Sequence, residues 1–222
     1  MKENCLLVFL NAPLAEEISP RLAEGFEESK LVPAYTDMAR HFFAAVKKLH
    51  GIQPTAVYKS VGKYPDLRWL DPEDPGFLSL KGASEAEQAA CAARWAFDAG
   101  AKRVALAAVN APALPANIIE NCFSILQEQD IAAGPDKDGD LYILGMNKPL
   151  FTILEGYPWP GRRVCDEMAD RAKRLRINLH LLPEYPLIKD ETAYHQWVSG
   201  GRKSHHSAKQ ETAKPAPTPG PR

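Results

Sequence analysis

The fold is decided by Cys5-Leu6-Leu7-Val8-Phe9-Leu10, closed by Asn11-Ala12-Pro13. Six apolar residues with no polar alternation, stopped by a turn-forming tripeptide, read as a strand buried on both faces. Lys102–Val109 repeats the pattern and reads as a second such strand. Strands of this kind need helices above and below them. Tyr35–Leu49 supplies one, with Met38, Phe42, Ala45, Val46 and Leu49 at helical spacing and Gly51 placed to end it. Ser84 and Glu87 form a capping box that opens a helix over Glu85–Ala99, and Gly100 closes it. Further strands are predicted at Thr55–Lys59, Phe77–Leu80, Ile131–Ala133, Leu141–Met146 and Ile177–Leu182. Further helices are predicted at Pro115–Gln129, Arg162–Leu175 and around Ala193–Val198. Tyr64–Pro75, with three prolines, reads as irregular. This alternation predicts an α/β three-layer sandwich with a mostly parallel sheet.

Composition fits that class. The 222 residues are 45% hydrophobic and 25% charged, and the formal net charge is −1. The balance is uneven. From Ser199 onward, Arg202, Lys203, Lys209, Lys214 and Arg222 stand against Glu211, a net of +4, which leaves −5 on residues 1–198. Residues 199–222 lack large apolar side chains and carry four prolines, so they read as a disordered basic tail behind one domain at 1–198. The near-neutral total argues against a general nucleic-acid binder, and no specific nucleic-acid binding is expected. No apolar run approaches the ~20 residues a membrane helix needs. Six apolar residues after Lys2 and Glu3 are too few for a typical signal peptide. Cys5, Cys91, Cys122 and Cys165 are dispersed with no CxxC, which suits reduced, buried cysteines and a cytoplasmic location without a structural zinc site. Nothing in the sequence bears on oligomeric state.

In an open α/β sheet, ligands bind outside the carboxyl ends of the strands. That directs attention to Asn11–Arg21, Asn110–Pro115, Gly134–Asp140 and Pro183–Thr192. Asp136 and Asp138 form an acidic pair in the third of these, and Asp138-Gly139 is turn chemistry. Trp159, beside Pro158, could stack on a sugar or base or serve the core. Arg162 and Arg163 open a helix where an anion would be favoured, or lie on a solvated face. The six histidines form no ligand spacing on one element, and there is no GxGxxG, Walker-A, HExxH or GxSxG motif.

Four stretches in order, LLVFLNAPLAEEISPRLA, RVALAAVNAPALP, AAGPDKDGDLYILGM and EGYPWPGRRV, resemble the glycosyltransferase-like family of radical-SAM/selenodomain-associated transferases. That family is related to nucleotide-diphospho-sugar transferases and, more distantly, to guanylyltransferases. The resemblance covers roughly residues 5–195. It implies a GT-A-like, Rossmann-related fold, a nucleotide or nucleotide sugar as partner, and Mg²⁺ or Mn²⁺ in active relatives. The family's first loop carries a Gly and then Lys-Thr-Arg-Leu to meet phosphates. Here the matching positions are Glu16 and Ser19-Pro20-Arg21-Leu22, so Arg21 alone remains basic, and Glu16-Glu17 would repel a diphosphate. Ahead of the third helix, the family's Gly-x-Asp-Leu-Gly-x-Arg is replaced by a stretch holding Ala83, Ser84, Glu85, Ala86 and Gln88. The family's Gly-Ser-Asp-Cys-Pro-Asp, whose acidic residue holds the metal, reads Ala108-Val109-Asn110-Ala111-Pro112-Ala113. Its last loop, roughly Pro-Asp-Val-Asp-Thr, reads Pro186-Leu187-Ile188-Lys189-Asp190.

Hard cations need carboxylate and phosphate oxygens. With Asn110 and Lys189 at the two ligand positions, no metal is expected. The Lys189 ammonium either fills the cation's space or is a surface lysine on a diverged loop, and a one-residue shift would put Asp190 in its place. The resemblance thus assigns Arg21, Asn110, Asp138, Trp159 and Lys189 to substrate binding, with no metal ligand and no catalytic residue. Three functions follow: a divergent nucleotide-sugar-dependent glycosyltransferase, a non-catalytic GT-A scaffold that binds a ligand or partner, or a nucleotidyltransferase with Arg21 and Lys189 as its cationic clamp.

Overall fold

The computed structural model describes residues 1–154 and 164–207, with side chains through Gly200. Among these residues the strands are β1 (Asn4–Leu10), β2 (Ile52–Tyr58), β3 (Leu78–Ser79), β4 (Arg103–Ala107), β5 (Ile131–Pro135), β6 (Leu141–Met146) and β7 (Leu179–Leu181). The helices are α1 (Pro20–Ala23), α2 (Glu28–Val46), α3 (Glu85–Asp98), α4 (Ala116–Ile125), α5 (Val164–Leu175) and α6 (Glu191–Ser207), with a 3₁₀ turn at Phe151–Ile153. The strands form one sheet in the order β3-β2-β1-β4-β6-β5-β7. β6 runs antiparallel to β4 and β5, and every other pairing is parallel. The mostly parallel sheet read from the sequence is the one observed.

Alternation along the central strands explains the layers. Leu6, Val8 and Leu10 of β1, with Ala105 and Ala107 of β4, pack with Tyr35 and Phe42 of α2 and Ile119 and Phe123 of α4. Cys5 and Leu7, with Val104 and Leu106, pack on the other face with Ala89, Ala93 and Ala96 of α3 and Met168 and Ala172 of α5. Both faces of β1 and β4 are therefore covered, which is why these segments read as continuous apolar runs. The Ser84 half of the α3 capping box forms, with the Glu87 amide donating to Ser84 Oγ at 3.2 Å, while Glu87 Oε2 reaches one residue further back and accepts from the Ala83 amide at 2.8 Å.

Two boundaries differ most from the sequence reading. α2 starts at Glu28 rather than Tyr35, with Pro33 inside it. The amide hydrogen bond that Pro33 forfeits falls within the first two turns, and the buried stripe from Leu31 to Val46 outweighs it. α6 runs to Ser207, so residues 199–207, expected to begin the disordered tail, continue a helix already nucleated upstream. Trp159, Arg162, Arg163 and residues 208–222 lie outside the described residues.

β1 is where the connections reverse. It pairs with β2 on one side and β4 on the other, both parallel. The crevice beyond the carboxyl ends of β1 and β4 is therefore the topological switch point, the usual ligand position in sheets of this kind.

Candidate functional site

A cavity of about 140 Å³ opens at that switch point. Its wall comes from the end of β1 (Phe9, Leu10, Asn11), the end of β4 (Ala108, Val109, Asn110) and the start of α3 (Glu85, Gln88). Arg21 and Leu22 of α1 and Leu187 and Lys189 of the loop after β7 complete it, with Asp140 beside them. Arg21, Asn110 and Lys189, far apart in sequence, thus meet in one place. Glu16 and Glu17 do not line the cavity, and Glu17 lies 3.7 Å from Lys59.

The loop bearing Lys189 is fixed from several sides. The Ile188 amide donates to the Asn110 carbonyl at 2.8 Å, and Asn110 Nδ2 donates to the Ile188 carbonyl at 3.2 Å. The Tyr142 hydroxyl donates to the Pro183 carbonyl at 2.8 Å. The Tyr185 amide donates to the Pro135 carbonyl at 3.1 Å. Gly25 packs so closely on the Lys189–Asp190 backbone that a Cβ there would overlap it. On the opposite side, the Tyr35 hydroxyl accepts from the Asn11 amide at 2.7 Å, pinning the exit of β1.

Opposite Lys189 lies the β5–β6 hairpin turn. Asp136 Oδ1 accepts from the Asp138 amide at 2.9 Å and the Asp140 amide at 3.0 Å, and Gly139 takes φ +79°, a conformation glycine adopts without strain. This turn presents three alternate carboxylates to one point. Lys189 Nζ lies 2.5 Å from Asp136 Oδ2, 2.9 Å from Asp138 Oδ2 and 2.5 Å from Asp140 Oδ2. Arg21 Nη2 also pairs with Asp140 Oδ2. The side chains of Asp136 and Asp140 are 3% and 1% exposed, and that of Lys189 is 27% exposed. Burial pulls the Lys189 pKa down, but the hydrogen bonds to Asp136, Asp140 and Asp138 outweigh it and hold the ammonium above the ordinary lysine value. The hydrogen bond from Lys189 holds Asp138 below the ordinary carboxylate value. Asp140 Oδ1, by contrast, is buried and has no hydrogen-bond partner.

Several expectations are corrected. Lys189 is no surface lysine on a diverged loop, because three carboxylates enclose its nitrogen. Asp190 does not take its place: Asp190 Oδ1 accepts from the Ala193 amide at 2.8 Å and caps α6. Asn110 stays in the cavity wall, with one of its two Nδ2 hydrogens donated to the Ile188 carbonyl. Asp140 and Tyr35 were not singled out as site residues. The Asp-x-Asp-x-Asp spacing over 136–140 is the signal that could have revealed Asp140, because an odd–even pattern across a tight turn puts all three carboxylates on one side. Nothing in the sequence pattern points to Tyr35.

The family model for uncharacterized proteins conserved in bacteria (DUF2064) matches residues 43–161. The chain belongs to the DUF2064 family. No curated protein matches the chain. Among solved structures, this DUF2064 protein is similar to a candidate nucleotide-diphospho-sugar transferase from Desulfovibrio desulfuricans G20, with 25% identity, a TM-score of 0.75, and coverage of 86% of this chain and 84% of that one. It is also similar in fold to 4-diphosphocytidyl-2C-methyl-D-erythritol synthase from Anaerococcus prevotii DSM 20548, at 10% identity and TM-score 0.61 over 90% and 96% of the two chains. CMP:2-keto-3-deoxy-manno-octonic acid synthetase, solved with CTP, shares 6% identity at TM-score 0.59 over 90% and 99%. The GT-A-like, Rossmann-related fold is therefore shown, and the structural neighbours are nucleotide-diphospho-sugar transferases and nucleotidyltransferases. Among the described residues, no helix is long and apolar enough to cross a membrane, and no group of three or more His, Cys, Asp or Glu is arranged to hold a metal ion.

Proposed function

We propose that this DUF2064 protein binds a nucleotide sugar in the switch-point cavity, as a divergent relative of the radical-SAM/selenodomain-associated transferases. The observation that carries this reading is the composition of the cavity wall. Apolar residues Phe9, Leu10, Ile18, Val109 and Leu187 suit a base and ribose, and Arg21 and Lys189 stand at the polar end. The orphaned Asp140 Oδ1 needs a donor, and a sugar or ribose hydroxyl is one. The likeness to a candidate nucleotide-diphospho-sugar transferase supports the same ligand class. Divergence of the phosphate-handling residues makes donor binding, rather than turnover, the property retained.

The test is thermal shift with nucleoside diphosphates, nucleotide sugars and nucleoside triphosphates. A nucleotide sugar should raise Tm by mass action. The rise should vanish in Val109→Trp, which fills the cavity. A shift with triphosphates alone would instead favour a nucleotidyltransferase. No shift with any of them would exclude nucleotide binding at this site.

A further inference from the structure

The family resemblance implies a divalent cation, and the residues of this site do not fit one. A cation coordinated by Asp136, Asp138 and Asp140 would need the volume that Lys189 Nζ fills, at 2.5, 2.9 and 2.5 Å from their oxygens. Divalent Mg²⁺ sits ~2.0–2.1 Å from its oxygen ligands, so ammonium and metal cannot share the cage. The ammonium has three donors, and three carboxylates take them. Charge matches as well as volume. Lys189 and Arg21 both reach Asp140 Oδ2, so two monovalent side-chain cations face three carboxylates, the net charge that one divalent ion would leave. The cage adjoins the cavity through Asp140, whose side chain is 1% exposed and whose buried Oδ1 lacks a partner.

We infer that Lys189, with Arg21, is a tethered replacement for a divalent cation, which makes ligand binding at this site independent of metal. This deepens and rests on the nucleotide-sugar reading: the charge of the carboxylate cage beside the donor site is met by side chains that the fold holds in place. The loop anchors at Asn110, Gly25 and Pro183 serve this purpose, because a lysine standing in for an ion must not swing away. A consequence follows without any nucleotide. Removing the ammonium leaves a vacant cage of three carboxylates, two of them buried, which should then take Mn²⁺.

The experiment follows protein-bound Mn²⁺ by loss of the free-ion EPR signal, on the full chain in the absence of nucleotide. Wild type should leave the signal intact. Lys189→Ala should quench it, and a hundredfold excess of Mn²⁺ over its Kd should raise that variant's Tm by ~5–10 °C. Asp140→Asn added to Lys189→Ala should abolish both effects. If Lys189→Ala is unfolded without metal, recovery of its circular dichroism in millimolar Mn²⁺ supports the inference equally. Lys189→Gln, which retains the stem, guards against a variant that never folds. Mn²⁺ binding by wild type that Asp140→Asn removes would overturn the inference. So would two lysine variants that take up no Mn²⁺. Failure of nucleotide binding alone would strike the nucleotide-sugar reading and leave this result unaffected.

Discussion

Replacing Lys189 by methionine keeps much of the stem and removes the charge. Its cost can be worked from the surroundings of the ammonium. Breaking a buried ion pair from one side typically costs ~3–5 kcal/mol. Here Asp140 keeps Arg21, and Asp138, with its side chain 55% exposed, is returned to water. Asp136, at 3% exposure, bears most of the loss, although its Oδ1 retains two backbone amides. The low end applies, ~3 kcal/mol, or ~6–12 °C in Tm for a chain of this size. Urea unfolding should show a lowered midpoint with an unchanged slope. Asp136→Asn removes the stranded charge, so the double variant should recover part of the loss, with a coupling of ~1–3 kcal/mol in the double-mutant cycle. A Lys189→Met variant within ~0.5 kcal/mol of wild type, the effect of an ordinary surface change, would refute the caged ammonium.

Three further outcomes are expected. Gly25→Ala drives a Cβ into the Lys189–Asp190 backbone, so it should destabilise by ~1–3 kcal/mol and weaken nucleotide-sugar binding; unchanged binding by calorimetry would show that the loop is not held there. Ser84→Ala removes the cap at the α3 end that lines the cavity and should lower Tm by ~2–4 °C, from a loss of ~1 kcal/mol; no change in a melting curve would show that the cap is idle. The pH dependence has two limbs. Asp138 is held below its ordinary 3.8, so its contribution is present above that value and is lost as pH falls through its folded pKa. Lys189 is held above its ordinary 10.5, so its contribution is complete below that value and is lost as pH climbs past it. The Tm difference between wild type and Lys189→Met should therefore be flat from about pH 5 to about pH 10 and shrink outside that range. A difference that changes near pH 7 would point to another group.

Much of the fold was legible because its signals are local. Cys5–Leu10 and Lys102–Val109 are covered on both faces, so burial writes itself as an unbroken apolar run, and Ser84 and Glu87 state a helix start in four residues. The site was legible only in part, because it is assembled from segments whose separation in sequence hides their contact. The ends of strands point to the loops, and the family resemblance picks Arg21, Asn110 and Lys189 from them, but nothing at Lys189 itself says that it meets a turn some fifty residues upstream. Asp190 offers a carboxylate in the neighbouring position, and only the backbone geometry of α6 reveals that it is spent as a cap. Asp140 was hidden by a different cause: beside Asp138-Gly139 it reads as one more polar turn residue, whereas its side chain is buried.

The central claim, a nucleotide-sugar site that works without a divalent ion, is tested most directly by calorimetric titration of the wild-type chain with a nucleotide sugar, once in EDTA and once in Mn²⁺. The expected result is saturable binding with the same Kd in both. Binding that requires Mn²⁺, or no binding in either, would contradict it.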